Sequence, residues 1–582
     1  MTIFDYTEQE VLGKVVAVDT TSVTLIVDNV DVLRKMQVNR LVALRSSRAG
    51  QHLIGVIQKI IRRSVESDSQ DDSEGVDAFI ESNTVKIILI GTFFDKLLEE
   101  SNVFRRTIET VPEIDAECFP IEGERLTKFM RAISYKSGEV SSSLSLGKYT
   151  LDEQAVAYLD ANKFFQRHAV IVGSTGSGKS YATARLVEQI SELPNCNAIL
   201  FDLHGEYKTL TADGIKHYKI AGPNEVVQGK SLDEGILYFP YWLLGYEDMI
   251  SMLVERTDQN APNQSMVLSR TVTAAKLQYL KERNETDLIK NFTVDSPIPY
   301  HLEYVLKELK RLNTEKVKGE RGEKQGDFYG KLSRLIARLE NRMSDRRLGF
   351  MMNPPKEVNE MSWLEKLANY LVCGRDHQVD KKGGVKIIDF SEVPSDILPL
   401  VIGRVASLIF SIQLWTDKEN RHPIALLCDE AHLYIPDKIS HGTGIFESSQ
   451  RYFERIAKEG RKYGVGLVVI SQRPSEVNKT VLSQCNNFVA LRLTNAEDQN
   501  VIKRLLPDSL GGFADLLPVL DTGEAIVVGD ASLLPSRIRI SEPNNKPDSG
   551  TFDFWDEWKK CDKENVINKS VRAWRMQSMI EK

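Results

Sequence analysis

Short runs of aliphatic and β-branched residues, broken at regular intervals by polar ones, fill the N-terminal part of the chain. "VLGKVVAVDTTSVTLIV", "RLVALRSS", "HLIGVIQKIIRRS" and "TVKIILIGTFF" follow one another between Val11 and about Ile90. Alternation at period two with polar punctuation predicts strands of a small antiparallel barrel. "SVESDSQDDSEGVD" (64–77) lies between the third and fourth runs. It is acidic, Ser-rich and without large apolar side chains, which predicts a solvated loop. Residues 95–160 read as mixed helix and loop. From 168 onward the pattern changes to apolar strands alternating with helix-period segments, which predicts a parallel sheet covered by helices on both faces. Strands are expected at 168–172, 197–202, 385–390, 424–428, 466–471, 488–493 and 525–528. The long gap between the second and third holds "YLKERNETDLIKN" and "FYGKLSRLIARLENRMSDRRLGF", both helix-patterned and charged. It is expected to be an inserted helical subdomain, with "NTEKVKGERGEKQGD" (313–327) inside it as an exposed linker.

These patterns divide the chain into five parts. Residues 1–150 are expected to form the barrel and a connector, and 151–240 the first part of an α/β core. Residues 241–380 form the helical insertion, 381–545 the second part of the core, and 546–582 a C-terminal tail. In the tail, "DFWDEWKK" and "SVRAWRMQSMIEK" are Trp-containing and amphipathic, and packing on a neighbour or folding back are equally compatible with them.

Composition changes this picture little. With 582 residues the chain is too long for one core. No apolar run is long enough to span a membrane and the N-terminus lacks a signal-peptide pattern, so a cytoplasmic protein with no membrane partner is expected. The cysteines Cys118, Cys196, Cys373, Cys428, Cys485 and Cys561 are scattered without metal-ligand spacing, and are read as reduced thiols. The net charge of −7 argues against a generally basic nucleic-acid binder but leaves room for a locally basic channel.

Chemistry enters at "HAVIVGSTGSGKSYATA" (168–184). Gly173, Gly176, Gly178, Lys179 and Ser180 satisfy the P-loop pattern GxxxxGK[ST], after a strand and before a helix, as that pattern requires. Its glycines allow backbone N–H groups to approach phosphate oxygens, and the helix N-terminus adds a favourable dipole. The stretch Gly173, Ser174, Thr175, Gly176, Ser177, Gly178, Lys179, Ser180 and Tyr181 is therefore the expected nucleotide cradle, with Lys179 on the β- and γ-phosphates and Ser180 on Mg²⁺. "IALLCDEAH" (424–432) is an apolar strand ending in two carboxylates. Asp429 is expected to hold Mg²⁺ and Glu430 to orient or deprotonate the attacking water. A hydrolase needs that second carboxylate, whereas a metabolite kinase does not. The absence of an NKxD base-recognition motif favours ATP over GTP. Gln472, ending "GLVVISQRP", is placed to sense the γ-phosphate. "RYFERIAKEGRKYG" (451–464) reads as an amphipathic helix stopped by Gly460. Arg461 at its end has two readings, complementing the helix dipole or acting as an arginine finger on a neighbouring subunit.

Taken in order, "RHAVIVGSTGSGKS", "FDLHGEY", "DEAH", "KEGRKYGVGL" and "SQRP" resemble the HerA family of hexameric ATPases, related to the FtsK-type DNA pumps. The resemblance implies a RecA-like P-loop core with an N-terminal HAS-barrel and an inserted helical subdomain. It implies ATP and Mg²⁺ as cofactors, a homohexamer with double-stranded DNA in its central pore, and hydrolysis coupled to translocation. It implies that Arg461 is the trans-acting finger and that Arg167 contributes near the nucleotide. It also implies an effector, a nuclease or a sirtuin-type protein, docked on the barrel face, with a role in DNA processing or antiphage defence. An assembly platform that holds an effector without pulling DNA is the alternative function. Asp202, His204 and Glu206 match the motif after the second strand; Glu206 is expected near the phosphates, and His204 is equally compatible with a structural role.

Overall fold

The computed structural model describes residues 3–48, 50–66, 79–94, 103–134, 143–319, 322–372, 384–438, 444–505, 514–532, 534–550, 553–559 and 567–577. The chain divides into two compact units. One comprises Met1–Phe164, Asn487–Arg492 and Leu506–Ser541; the other comprises Phe165–Asn486, Leu493–Leu505 and Glu542–Lys582.

In the first unit the N-terminal runs form β1 (Gly13–Val18), β2 (Ser22–Ile26), β3 (Leu41–Arg45), β4 (Gln51–Glu66) and β5 (Phe79–Phe94), and the stretch expected as mixed helix and loop adds β6 (Val103–Arg105) and β7 (Glu117–Pro120). Their order is β2-β1-β7-β3-β4-β5-β6, and β2 also pairs with β5, which closes a six-strand antiparallel barrel. Closure removes the free edges that an open sheet of such apolar strands would expose. Val15, Val23, Leu25, Leu44, Leu53, Val85 and Ile87 fill the interior. The acidic loop expected at 64–77 falls largely outside the described residues.

Strands β8 (Ser143–Tyr149) and β9 (Asp152–Asp160) follow as an antiparallel pair. The stretch 95–160 thus holds more strand than its sequence suggested.

The second unit is built on β10 (Ala169–Val172), β11 (Asn197–Asp202), β12 (Ile215–Ile220), β13 (Ile236–Leu237), β16 (Gly384–Asp389), β17 (Ile424–Cys428) and β18 (Val465–Ser471). Their order is β13-β12-β16-β11-β17-β18-β10, and every neighbouring pair is parallel. Strands β10, β11, β17 and β18 are buried at every position, which explains why they read as unbroken apolar runs. Strands β12 and β13 were not foreseen; "IKHYKI" carries too many polar residues for an interior strand. Strand β18 separates β10 from β17, so the chain segments that leave these three strands meet at one sheet edge. The expected α/β class, a parallel-sheet core with a small N-terminal β-barrel, is borne out.

The stretch 241–380 holds helices including Ala261–Glu282, Leu302–Thr314, Ser333–Ser344 and Met361–Val372. Within it, the expected linker at 313–327 is instead a hairpin, β14 (Lys316–Gly319) and β15 (Gly322–Gln325), with Gly319 opposite Gly322. Gly322 takes φ +125, a conformation glycine adopts without penalty, and this lets a charged, Gly-rich segment turn back on itself.

Two further expected strands, β19 (Asn487–Leu491) and β20 (Glu524–Gly529), belong to the first unit and are antiparallel to each other, not members of a parallel run. Strand β21 (Ser536–Ile540) connects β20 to β8.

Three helices of the second unit bear on the site: α1 (Lys179–Ser191), α2 (Leu398–Trp415) and α3 (Ile445–Tyr463). By length and composition α2 is apolar enough to cross a membrane, but 67% of it is buried inside the protein. Helix α3 runs through Gly460 and ends at Gly464, which takes φ +74. The expected stop at Gly460 is corrected by a packing reason: a Cβ there would lie 2.6 Å from the Val465 carbonyl oxygen. In the tail, the helices Phe554–Lys559 and Ile567–Met576 bury no residue. Cys118, Cys196, Cys428 and Cys485 are buried free thiols, while Cys373 and Cys561 lie outside the described residues.

Candidate active site

Strand β10 ends at Val172 and the chain turns through Gly173–Gly178 before α1 starts at Lys179. Gly176 and Gly178 take φ +74 and +103, conformations that penalise any Cβ. Gly178 caps α1 without a side-chain bond, so the first N–H groups of the helix face the turn.

Lys179 is buried and donates to Asp429 Oδ1 at 2.7 Å and to Glu430 Oε1 at 2.8 Å. Burial opposes its charge, yet the two carboxylates more than offset that and raise its pKa above the usual lysine value. Asp429 follows directly on β17 and accepts a second bond, 2.9 Å, from the buried Tyr207 hydroxyl. Burial, reinforced by the Asp429 charge, raises the Tyr207 phenol well above its ordinary value, so it stays a donor. Glu430 takes φ 46, in the left-handed region. Such a conformation costs a non-glycine residue roughly 1 kcal/mol or more and clusters at functional sites. Here it turns the chain sharply at the strand end and aims the carboxylate at Lys179.

Gln472, the residue after β18, closes the group. Its Nε2 donates to Glu430 Oε1 at 2.7 Å, while its Oε1 accepts from the Thr175 hydroxyl at 2.6 Å. The remaining Glu430 oxygen, Oε2, is buried without a hydrogen bond among the described residues and lies 3.4 Å from His432 Nδ1. Burial lowers the His432 pKa, so its imidazole favours the neutral form. Ser180 donates to Glu206 Oε2 at 3.0 Å, and burial raises the pKa of that carboxyl. Glu206 and Tyr207 are held in place by Asp202, whose carboxylate accepts from the backbone N–H groups of His204, Gly205, Glu206 and Tyr207. His204 itself is exposed. Ser174 Oγ accepts from the Thr494 backbone N–H at 3.2 Å. Tyr181 is half-buried in the first turn of α1, and Ser177 Oγ is buried with no hydrogen bond among the described residues.

The expected cradle residues Gly173–Tyr181 are therefore gathered with Asp429, Glu430 and Gln472 at the C-terminal edge of the parallel strands. Tyr207 completes the group; its place in "FDLHGEY" was the signal, but no role followed from sequence. Two expected site residues are not brought there. Arg461 is exposed near the C-terminal end of α3, four residues before Val465, the first residue of β18. The seven residues of β18 put roughly 20 Å between that end and Gln472, a span no arginine side chain bridges. Arg167 precedes β10 and sits at the same far edge, its carbonyl accepting from Asn486 N–H at 2.9 Å.

Residues 144–409 match the family described as helicase HerA, central domain. The chain is 24% identical over 521 residues to the DNA double-strand break repair helicase HerA of Saccharolobus solfataricus, covering 89% of this chain and 90% of that one. It is 25% identical over 478 residues to the protein of the same name from Pyrococcus furiosus, covering 74% and 76%. Among solved structures, VirB4 of Thermoanaerobacter pseudethanolicus aligns over 70% of this chain and 98% of its own at 17% identity, with a TM-score of 0.45. The likeness read from the motifs is borne out over residues 144–409, which match the HerA central-domain family.

Proposed function

We propose that this chain with a HerA-type central domain is an ATP hydrolase that drives DNA translocation as a homohexameric ring. The observation that carries this reading is the separation of its parts. The cradle, metal carboxylate, water-directing carboxylate and sensor meet at one sheet edge. Arg461, exposed and with no side-chain hydrogen bond or ion pair among the described residues, stands at the other. A guanidinium so placed serves a site on another copy, and a closed ring lets every copy give and receive one.

The residues present fit ATP and Mg²⁺. A Cβ at Gly176 would meet nothing within 4 Å, and the buried oxygens Ser177 Oγ and Glu430 Oε2 lack hydrogen-bond partners among the described residues. In this reading Gly173–Gly178, Lys179 and Tyr181 hold the nucleotide, and Ser180 and Asp429 hold the metal. ATP supplies the anhydride bond, and Mg²⁺ neutralises charge on its phosphates. Glu430 orients the attacking water and accepts its proton, while Gln472 holds Glu430 in the required direction. Tyr207 keeps Asp429 from rotating. Arg461 stabilises the charge that develops on a neighbour's nucleotide, and Arg167, at the same edge, supports it there.

DNA passes through the pore and is held by its phosphates, without base reading. The two HerA relatives are named as double-strand break repair helicases, and this supports DNA as the track. The ring works in the cytoplasm and drives or regulates a nuclease or sirtuin-type effector on the N-terminal barrel, taken here as a HAS-barrel, in DNA processing or antiphage defence. Light scattering of the purified chain together with ATPase assays with and without duplex DNA tests this. Six chains per particle and DNA-stimulated turnover are expected. A monomer under all nucleotide conditions overturns the ring, and turnover indifferent to DNA but required by a partner identifies an assembly platform instead.

A further inference from the structure

His168 stands between Arg167 and β10 in a conformation that histidine rarely adopts, φ 54. Its imidazole is buried, and both nitrogens are engaged. Nδ1 accepts from the Leu467 backbone N–H at 3.0 Å, in β18. A nitrogen that accepts carries no proton, so Nε2 carries it and donates to the Ala457 carbonyl at 3.1 Å, in α3. One side chain therefore joins three elements. Strand β10 leads into the P-loop, β18 ends at the sensor Gln472, and Ala457 lies one helical turn before Arg461. Side chains four apart on a helix share a face, so what fixes Ala457 fixes the direction from which Arg461 leaves. Burial lowers the His168 pKa to about 4, which keeps this single neutral tautomer through the ordinary pH range.

We propose that His168 is a positioning residue: it locks the finger-bearing end of α3 to the strands that carry the cradle and the sensor, so that the state of one copy's own cradle sets the aim of the arginine it offers its neighbour. This rests on the reading of Arg461 as a trans-acting finger. A backbone held in the left-handed region by two bonds of its own side chain is over-determined, which is the condition under which such a conformation persists.

The test uses His168→Asn in the full chain. Asparagine tolerates a left-handed backbone and can accept from Leu467, but it is too short to reach Ala457 as well. Steady-state ATPase is measured for this variant alone and mixed with Glu430→Gln chains, which keep an intact finger but cannot hydrolyse. An Arg461→Ala mixture runs beside it. Alone, His168→Asn is expected to lose about tenfold to a hundredfold in kcat with its KM for ATP little changed, the effect of a misplaced catalytic group. In the mixture it recovers to the extent that Arg461→Ala does, because its own cradle is sound. Unchanged kcat overturns the proposal. Recovery of Arg461→Ala without recovery of His168→Asn puts the lesion in the variant's own cradle and overturns it too, leaving the ring intact. Failure of both mixtures overturns the trans reading beneath it. Should the asparagine variant fold poorly, His168→Gln, whose longer amide spans either partner, is carried through the same mixtures, where the same results support or overturn the proposal.

Discussion

The Thr175 hydroxyl donates to Gln472 Oε1 at 2.6 Å, and this bond fixes which end of the Gln472 amide faces Glu430. Thr175→Val removes the donor while keeping the shape, and leaves the amide free to turn its oxygen toward a carboxylate. A side-chain hydrogen bond is worth about 1 kcal/mol, so kcat is expected to fall roughly fivefold to tenfold with ATP affinity preserved. Thr175→Ser restores the rate. Equal turnover by the valine and serine variants would show that the relay from P-loop to sensor has no part in catalysis.

Among the described residues, Lys179 is the only cation seen on either carboxylate oxygen it touches, and Asp429 and Glu430 are both buried. Lys179→Ala is expected to abolish nucleotide binding and also to destabilise the unit by about 3–5 kcal/mol, the cost of removing one partner from a buried ion pair. Combining it with Asp429→Asn relieves part of that loss. Thermal unfolding reads both variants; a double variant no more stable than the single one refutes the electrostatic account of the loss.

Glu430→Gln preserves shape and the contact with Gln472 but removes the proton acceptor. It is expected to bind ATP as the unmodified chain does and to lose hydrolysis by at least about a hundredfold, within the range for a general base. Filter binding and phosphate release measure the two quantities. An active Glu430→Gln enzyme assigns the water to another group.

Arg461→Ala touches nothing in its own cradle, so nucleotide binding should persist. Turnover is expected to fall about a thousandfold, the scale of a lost arginine finger. Mixing these chains with Glu430→Gln chains creates interfaces at which an intact cradle meets an intact finger, and activity returns in proportion to their number. No recovery at any ratio counts against a finger acting between copies.

The buried imidazole of His168 gives a pH signature of its own. Its folded pKa, about 4, lies below the ordinary histidine value of about 6.5, so folding favours the neutral form. The associated stability is complete above the unfolded value and is lost as pH falls toward the folded one. Between pH 6.5 and 4 the parent chain is expected to lose about 3 kcal/mol more than His168→Asn does. Denaturant unfolding of both chains at several pH values measures the difference, and parallel stability curves refute it.

Where one periodicity governed a segment, the chain was readable. Strands β1 to β4, β10, β11, β17 and β18 stand within a residue or two of where alternation or unbroken apolarity put them, because burial on one face or both leaves that mark. By contrast, β5 begins five residues before its expected run, and β7, the sixth strand of the barrel, lies in the stretch read as mixed helix and loop. Strand β12 escaped, since Lys216, His217 and Lys219 interrupt it. Lys219 is compatible with the sheet because Glu225 and Glu392 pair with it at 3.0 and 2.9 Å, and the second of these lies 173 residues away, beyond any local window. The hairpin at β14 and β15 escaped because its side chains are charged and its signal lies in backbone conformation. Motifs located the P-loop and both carboxylates, but spacing along the chain says nothing about which sheet edge a residue occupies. The distance between Arg461 and its own cradle emerges only once α3 is seen to reverse into β18.

Gly460 leaves no room for even one more carbon before the Val465 carbonyl oxygen. The helix lies close against the start of β18 because nothing projects from that position, and Arg461 is the next residue along. Precision in the reach of a long, flexible, charged side chain is thereby inherited from an empty spot beside it. A single added methyl would act like a shim under a lever, swinging the guanidinium away from whatever it is meant to touch while every residue of the chemical site stayed in place.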